Sequence, residues 1–266
     1  MMEDALKRLR AARKYADICP DTLARVLSEA FSRHRKPKDA EKAAREALHG
    51  ITGAFMSPDE LKKARELLLS GDLEGALRLH ASTRERMPLN AFYGELFARV
   101  GKPARALDLA CGMNPVYLAS VGIDVTGVDI SGAQARLVNE WAALAGANAR
   151  IEIRDLLSPS AVPAERFDLA LAMKLLPVLE AQRRGAAEAL LGSVVAARLV
   201  VTFPTRTLGG RGVGMERHYT DWFEALDMPD WAVEARYVYN GELVYILREA
   251  RDGETVCSRD ADREPR

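Results

Sequence analysis

Ala104-Arg-Ala-Leu-Asp-Leu-Ala-Cys-Gly112, then Ile123-Asp-Val-Thr-Gly-Val-Asp129, then Arg150-Ile-Glu-Ile-Arg-Asp155 form the stretch that decides the fold. Each is a short apolar run ending on Asp or Gly, the mark of a buried parallel strand with a polar residue at its carboxyl end. Between the second and third, Ser131 to Ala145 has a helical period and is closed by Gly146. Further strand patterns cover Phe167 to Met173, Arg198 to Phe203, Ala232 to Val238 and Leu243 to Leu247, with helical patterns over Leu176 to Leu191 and Tyr219 to Leu226. Such alternation implies a parallel α/β sheet, and the Tyr239-Asn240-Gly241 turn makes the last two strands an antiparallel hairpin at its edge.

Upstream of this region the chain reads as helices. Leu6, Leu9, Ala12 and Ala16 recur at helical spacing, and Asp21 to Arg33 continues with Leu23, Val26, Leu27 and Phe31. A third helix is expected from Pro37 to His49, stopped by Gly50. Ser57-Pro58-Asp59-Glu60 is a capping box, with Gly71 past the last turn, and Ser82-Thr83-Arg84-Glu85 reads as a second box. Leu89 to Val100 completes the set before Gly101-Lys102-Pro103. Three segments follow: a helical module over 1–103, an α/β domain over 104–248, and a charged tail over 249–266 that is expected to be disordered.

Of the 266 residues 48% are hydrophobic and 29% charged, which excludes disordered and fibrous classes. Cys19, Cys111 and Cys257 form no pair, which argues against a disulfide framework and against a metal site, and favours a reducing, cytoplasmic setting. With no run of about 18 apolar residues and no leader-like start, the chain is expected to be neither membrane-spanning nor secreted. The 38 basic and 38 acidic residues cancel, but not locally. Residues 1–105 hold 21 Lys+Arg against 15 Asp+Glu, so this half is +6 and the rest is −6.

Ligands of a doubly wound sheet bind outside the carboxyl ends of its strands. Only Gly112 follows the first strand, where a dinucleotide pyrophosphate requires three spaced glycines. S-adenosylmethionine carries no phosphate. It needs one close backbone approach and an acid facing its ammonium and sulfonium charge, and Asp108 can supply that acid. Asp129 can accept both ribose hydroxyls, and Asp155, with Leu156, can meet the adenine amino group. Asp also caps turns after any strand, so one acid alone decides little; three with Gly112 favour the cofactor.

Met173-Lys174-Leu175-Leu176-Pro177 stands where an exocyclic-amine methyltransferase has Asn/Asp-Pro-Pro-aromatic, and no cysteine nucleophile for pyrimidine C5 lies nearby. An acceptor that is already nucleophilic, such as guanine N7, fits better. Phe203 to Met215 holds four glycines with Arg206 and Arg211, which reads as a substrate loop rather than a solvated one. Lys7, Arg10 and Lys14 share one helical face, and Arg33, Arg35 and Lys36 cluster further on. Either these are solvated faces, or they meet RNA by phosphate and shape; the charge segregation favours RNA.

Longer motifs carry a resemblance: Lys14-Tyr15, Cys19-Pro20-Asp21-Thr22, Leu48-His49-Gly50, His80 to Arg86, Asp108 to Gly112 with Asn114-Pro115, Lys174 to Pro177, Phe203 to Arg206, Leu208 to Gly212 and Gly214-Met215. Over residues 1–247 the chain resembles the aminoglycoside-resistance 16S rRNA methyltransferases of the Arm/Rmt/Sgm type, which modify N7 of guanine 1405. The resemblance implies a Rossmann-like S-adenosylmethionine-dependent methyltransferase sheet with an N-terminal all-helical domain, and S-adenosylhomocysteine as product. It implies that Phe55, His80, Ala81, Ser82 and Arg86 approach the cofactor, Arg86 facing its carboxylate, and that Ala110, Asp129, Asp155, Leu156, Met173 and Gln182 line the rest. Lys174, Arg211 and Met215 would engage the target guanosine, with no residue acting as general base. The partner implied is 16S rRNA in the assembled 30S subunit, not DNA or a membrane, and the phenotype is aminoglycoside resistance. Val213 stands where the resemblance leads to a lysine. Two other classes stay open: a methyltransferase for another rRNA nucleotide or a small molecule, and a non-catalytic RNA-binding protein with a degenerate pocket.

Overall fold

The computed structural model describes residues 1–52, 56–205 and 214–250. They form two compact units, the first from Met1 to Val162 and the second from Pro163 onward.

The first unit begins with seven helices, α1 (Met2–Ala11), α2 (Pro20–Arg33), α3 (Pro37–Thr52), α4 (Pro58–Ser70), α5 (Leu73–Leu79), α6 (Ala81–Glu85) and α7 (Leu89–Val100). It continues as β1 (Arg105–Leu109), α8 (Asn114–Ser120), β2 (Asp124–Asp129), α9 (Gly132–Ala145) and β3 (Ala149–Ile153). The strands lie parallel in the order β3-β2-β1, with Leu109 opposite Val128 and Asp129 opposite Ile153. This register levels the three carboxyl ends, so the residues just past them emerge along one edge. Helices α4 and α5 pack on α9 and α8, which places the helical module and these strands in one unit.

A separate apolar cluster joins α1, α2 and α3 through Leu9, Tyr15, Leu23, Leu27, Ala44 and Leu48. The helix expected to run through Ala16 stops at Ala11, so Lys14 lies beyond it and not on the face of Lys7 and Arg10. The cause is tertiary: Ile18 bridges Ser131, and the Cys19 amide donates to the Ile130 carbonyl at 2.8 Å, drawing the chain to the end of β2.

The Ser57 box forms as expected: the Glu60 amide donates to Ser57 Oγ at 3.2 Å, and the Ser57 amide to Glu60 Oε2 at 2.7 Å. The second box does not form. Helix α6 starts after His80, Thr83 turns its hydroxyl onto the His80 carbonyl, and Ser82 instead accepts from Arg86. Helices α5 and α8, each seven residues long, are too short for a periodic pattern to reveal.

The second unit comprises β4 (Phe167–Met173), α10 (Leu176–Gln182), α11 (Ala186–Leu191), β5 (Ala196–Pro204), α12 (Met215–Phe223), β6 (Trp231–Tyr239) and β7 (Glu242–Glu249). Its strand order is β4-β5-β7-β6, with β4 and β5 parallel and β7 antiparallel to both neighbours. Asn240 and Gly241 have φ of 48° and 79°, the tight turn that closes the expected edge hairpin. The single helix expected over Leu176 to Leu191 is two. Gly185 turns the chain at φ 79°, and the Glu180 carboxylate accepts the amides of Gly185 and Ala187. Glu249, assigned to the tail by its charge, ends β7 and pairs with Arg166 at 2.7 Å; residues 251–266 lie outside the described residues.

Candidate cofactor and target site

In the first unit the site starts from Asp108, buried near the end of β1. Its Oδ2 accepts from Asn114 Nδ2 at 2.6 Å, and Asn114 Oδ1 accepts from the Tyr93 hydroxyl at 2.8 Å. Burial pushes the Asp108 carboxyl up to about 7, against the Asn114 hydrogen bond and the nearby Arg86 charge. Past β1 the backbone turns left-handed at Ala110 and Gly112, with φ of 54° and 52°. The turn aims the Gly112 amide at Asp129 Oδ2, 2.8 Å away, across the ends of two strands. A Cβ on Gly112 would lie 2.6 Å from the His80 imidazole, so the histidine packs directly on bare backbone.

His80 is buried, and burial followed by Arg86 and Arg84 lowers its pKa to about 4, which makes it a neutral ring at pH 7. Arg86, also buried, donates from Nη1 to Ser82 Oγ at 3.0 Å, its guanidinium 5.8 Å from the centre of the Phe92 ring. Asp129 accepts the Ser131 amide on its other oxygen at 2.8 Å; its pKa is raised by burial. Both Asp129 oxygens are thus oriented by backbone amides, those of Ser131, Gly112 and Ile130 all favouring the ionised carboxylate against burial. Asp155 follows β3, is buried, and accepts the Leu157 amide at 2.9 Å and Arg25 Nε at 2.8 Å. Leu156 beside it is half-buried, as are Ala81 and Ser82.

The first unit therefore brings together His80, Ser82, Arg86, Asp108, Ala110, Gly112 and Asp129, with Asp155 and Leu156 one strand further along. This donor set fits S-adenosylmethionine: a buried guanidinium for a carboxylate, acids for cationic groups and a diol, and a left-handed glycine turn between them. Sequence reading assigned no role to Tyr93, Asn114 or Arg25. Arg25 in particular reads as one more solvated charge in a helix, its i, i+4 partner Glu29 reinforcing that impression.

In the second unit Met173 ends β4 half-buried, and Lys174 follows with φ 55°, its amide donating to the Thr202 carbonyl at 3.0 Å. Lys174 Nζ lies 3.0 Å from Oε1 of Glu242, a buried carboxylate that opens β7. Glu242 was not legible as a partner because it reads as the first polar residue after a turn. Gln182 closes α10 and donates to the Val178 carbonyl at 3.0 Å. Met215 opens α12, a helix anchored where Tyr219 stacks on Phe203 at 5.1 Å and Phe223 tilts against the same ring. Phe55, Arg206, Arg211 and Val213 lie outside the described residues.

Lys7, Arg10, Lys14, Arg33, Arg35 and Lys36 are all exposed. Lys7 pairs with Glu3 at 3.5 Å, and Lys14 Nζ sits 3.4 Å from His49 Nδ1 and 5.7 Å from the Tyr15 ring centre. Lys14 and His49 border a cleft of about 440 Å³ that Lys38, Lys42 and Arg45 also line.

Comparison with known proteins bears on the family. The family model for ribosomal RNA methyltransferase (FmrO) matches residues 10–246. A 16S rRNA (guanine(1405)-N(7))-methyltransferase of Serratia marcescens is 42% identical over 250 residues, 93% of this chain and 98% of its own. The solved structure of the 16S rRNA methyltransferase RmtF in complex with S-adenosyl-L-homocysteine gives a TM-score of 0.86 at 51% identity, over 94% of this chain and 98% of that one. The 16S rRNA methylase RmtB gives 0.85 at 39% identity, over 94% and 99%. The expected Rossmann-like methyltransferase fold with a helical N-terminal region is therefore the fold of this chain. By the span of the family model and the identity to these relatives, the chain belongs to the FmrO family of ribosomal RNA methyltransferases.

Proposed function

We propose that this chain transfers a methyl group from S-adenosylmethionine to N7 of guanine 1405 in 16S rRNA, acting in the cytoplasm on the assembled 30S subunit and so conferring aminoglycoside resistance. The observation that carries the reading is the linkage of strand ends by Gly112 and Asp129, 2.8 Å apart, beside buried Asp108 and Arg86. Arg86 would hold the cofactor carboxylate, Asp108 its ammonium, Asp129 the ribose diol, and Asp155 with Leu156 the adenine. Bound there, the cofactor supplies an electrophilic methyl group on a sulfonium.

Guanine N7 presents its own lone pair, so no proton has to leave before attack. The protein's task is then to orient and to stabilise charge rather than to act as a general base. Lys174, Arg211 and Met215 would hold the guanosine flipped from its stack, and Met173 and Gln182 would complete the cofactor wall. Residues 1–103 would dock on rRNA through Lys7, Arg10, Lys14, Arg33, Arg35 and Lys36, with Arg206 adding a phosphate contact, while 104–248 carry the chemistry.

Purified 30S subunits are incubated with labelled S-adenosylmethionine and the chain, and N7-methylguanine is mapped by reduction and aniline cleavage. Cleavage at guanine 1405 is expected; cleavage elsewhere, or none, overturns the reading. Methylation of free small molecules without ribosomes would favour the small-molecule alternative. Cells expressing the chain should resist gentamicin and kanamycin and remain sensitive to apramycin.

A further inference from the structure

We infer that Arg25, a residue of the N-terminal helix α2, is a positioning residue for the adenine end of the cofactor site, acting through Asp155. The inference rests on the reading that Asp155 meets the adenine amino group.

The stretch from Asp17 to Arg25 is fastened to the ends of β2 and β3. The Gly132 amide donates to the Asp17 carbonyl at 2.6 Å, Ile18 bridges Ser131, and the Cys19 amide donates to the Ile130 carbonyl at 2.8 Å. Gly132 is required there, because a Cβ would come within 2.8 Å of the Asp17 carbonyl oxygen. Arg136 pairs with Asp17 from the first turns of α9. The contacts to Ile130, Ser131 and Gly132 fall one to three residues past Asp129, and in the second turn of α2 Arg25 reaches Asp155.

That last pair is the informative one. The Arg25 side chain is 12% exposed and that of Asp155 3%, with Nε and Oδ2 2.8 Å apart. The Leu157 amide holds Oδ1 at 2.9 Å. Each oxygen thus has one fixed donor, which sets the carboxylate plane and fixes the direction of its remaining lone pairs. A carboxylate so oriented accepts from a 6-amino group and repels a 6-oxo group, which presents a lone pair instead of a proton. Without Arg25 the plane is held by the Leu157 amide alone and can rotate, so discrimination is lost before binding is.

The test measures binding of S-adenosylhomocysteine and of its inosine analogue, in which the 6-amino group is replaced by a carbonyl, by calorimetry on the full chain. The wild type should prefer the amino ligand. Arg25→Met should lower that preference by about tenfold, the worth of one charge-assisted hydrogen bond. Arg25→Lys, which keeps a cation beside Asp155, should lower it only about two- to threefold, and this variant decides the matter should the methionine variant not fold. A merely structural role would weaken both ligands equally and leave the ratio unchanged; that outcome in either variant overturns the inference. Asp155→Asn separates the two levels. A side-chain amide can donate to a carbonyl, so the preference should collapse, whereas an unchanged ratio in this variant would overturn the adenine reading itself and the inference with it.

Discussion

At the residue scale, Gly112 and Asp108 carry the tightest constraints. Gly112 is fixed twice, by a φ of 52° that L side chains rarely adopt and by the His80 ring that a Cβ would strike at 2.6 Å. Gly112→Ala should therefore push His80 off the strand end. We expect cofactor affinity to fall by more than about tenfold and stability by about 1–3 kcal/mol, read by calorimetry and by urea unfolding. Asp108 makes stability depend on pH in an unusual direction. Its carboxyl is raised by burial from 3.8 to about 7, so between those values the folded chain holds a proton that the unfolded chain has released. Its contribution is present at low pH and is lost as pH rises through about 7, with a slope of at most about 1.4 kcal/mol per pH unit. Relative to Asp108→Asn, the ligand-free wild type should lose stability in urea from pH 5 to pH 7 and then hold level to pH 8; His80, lowered to about 4, gives both chains an opposite slope below 6.5. A wild-type curve parallel to that of the variant would mean that Asp108 ionises normally. Cofactor binding should run the opposite way, because cationic groups favour the ionised carboxylate; affinity should strengthen from pH 6 to pH 8.

At the element scale, function depends on how strand ends are followed. Lys174 leaves β4 with φ 55°, and its ammonium is held by Glu242, which the Asn240-Gly241 turn places at the start of β7. Glu242→Gln keeps the shape and removes the counter-charge. With Lys174 partly exposed, the stability loss should be about 1–2 kcal/mol, and the larger effect should fall on methylation of 30S subunits while S-adenosylhomocysteine affinity stays near that of the wild type. Equal loss of both would show that the pair is structural. This is also the scale at which sequence reading succeeds and fails. The strands and their acids are legible because an apolar run ended by Asp or Gly is a local signal, and the Ser57 box is legible because all its partners lie within four residues. The end of α1 at Ala11 is not, since a bridge to Ser131 decides it, nor is the break between α10 and α11, which depends on where the Glu180 carboxylate turns. Arg25 and Asp155 are 130 residues apart, and nothing in either neighbourhood announces the other.

For the whole molecule, the charge arrangement bears on the partner. Neutral in total, the chain is +6 over residues 1–105 and −6 beyond, and its sequence pI near 6.9 reports only the sum. Phosphates respond to local charge: each one neutralised releases counterions, and the logarithm of affinity falls with that of salt by about 0.7–0.9 per contact. Exposed Lys7, Arg10, Lys14, Arg33, Arg35 and Lys36 thus predict a steep salt dependence for 30S binding, despite the absence of net charge. The acidic half would oppose non-specific adhesion, so attraction should be confined to the docking face. Replacing Lys7, Arg10 and Lys14 with Glu reverses three of these charges while leaving the buried set Asp108, Arg86 and His80 untouched. Binding of 30S subunits should weaken by at least about tenfold and the salt slope should flatten by about two to three, with S-adenosylhomocysteine affinity unchanged. Lys7 already pairs with Glu3, so its share should be smaller than that of Arg10 or Lys14, which single substitutions would show. If subunit binding and its salt slope both survive the triple change, the +6 half is a solvated surface and the docking face lies elsewhere.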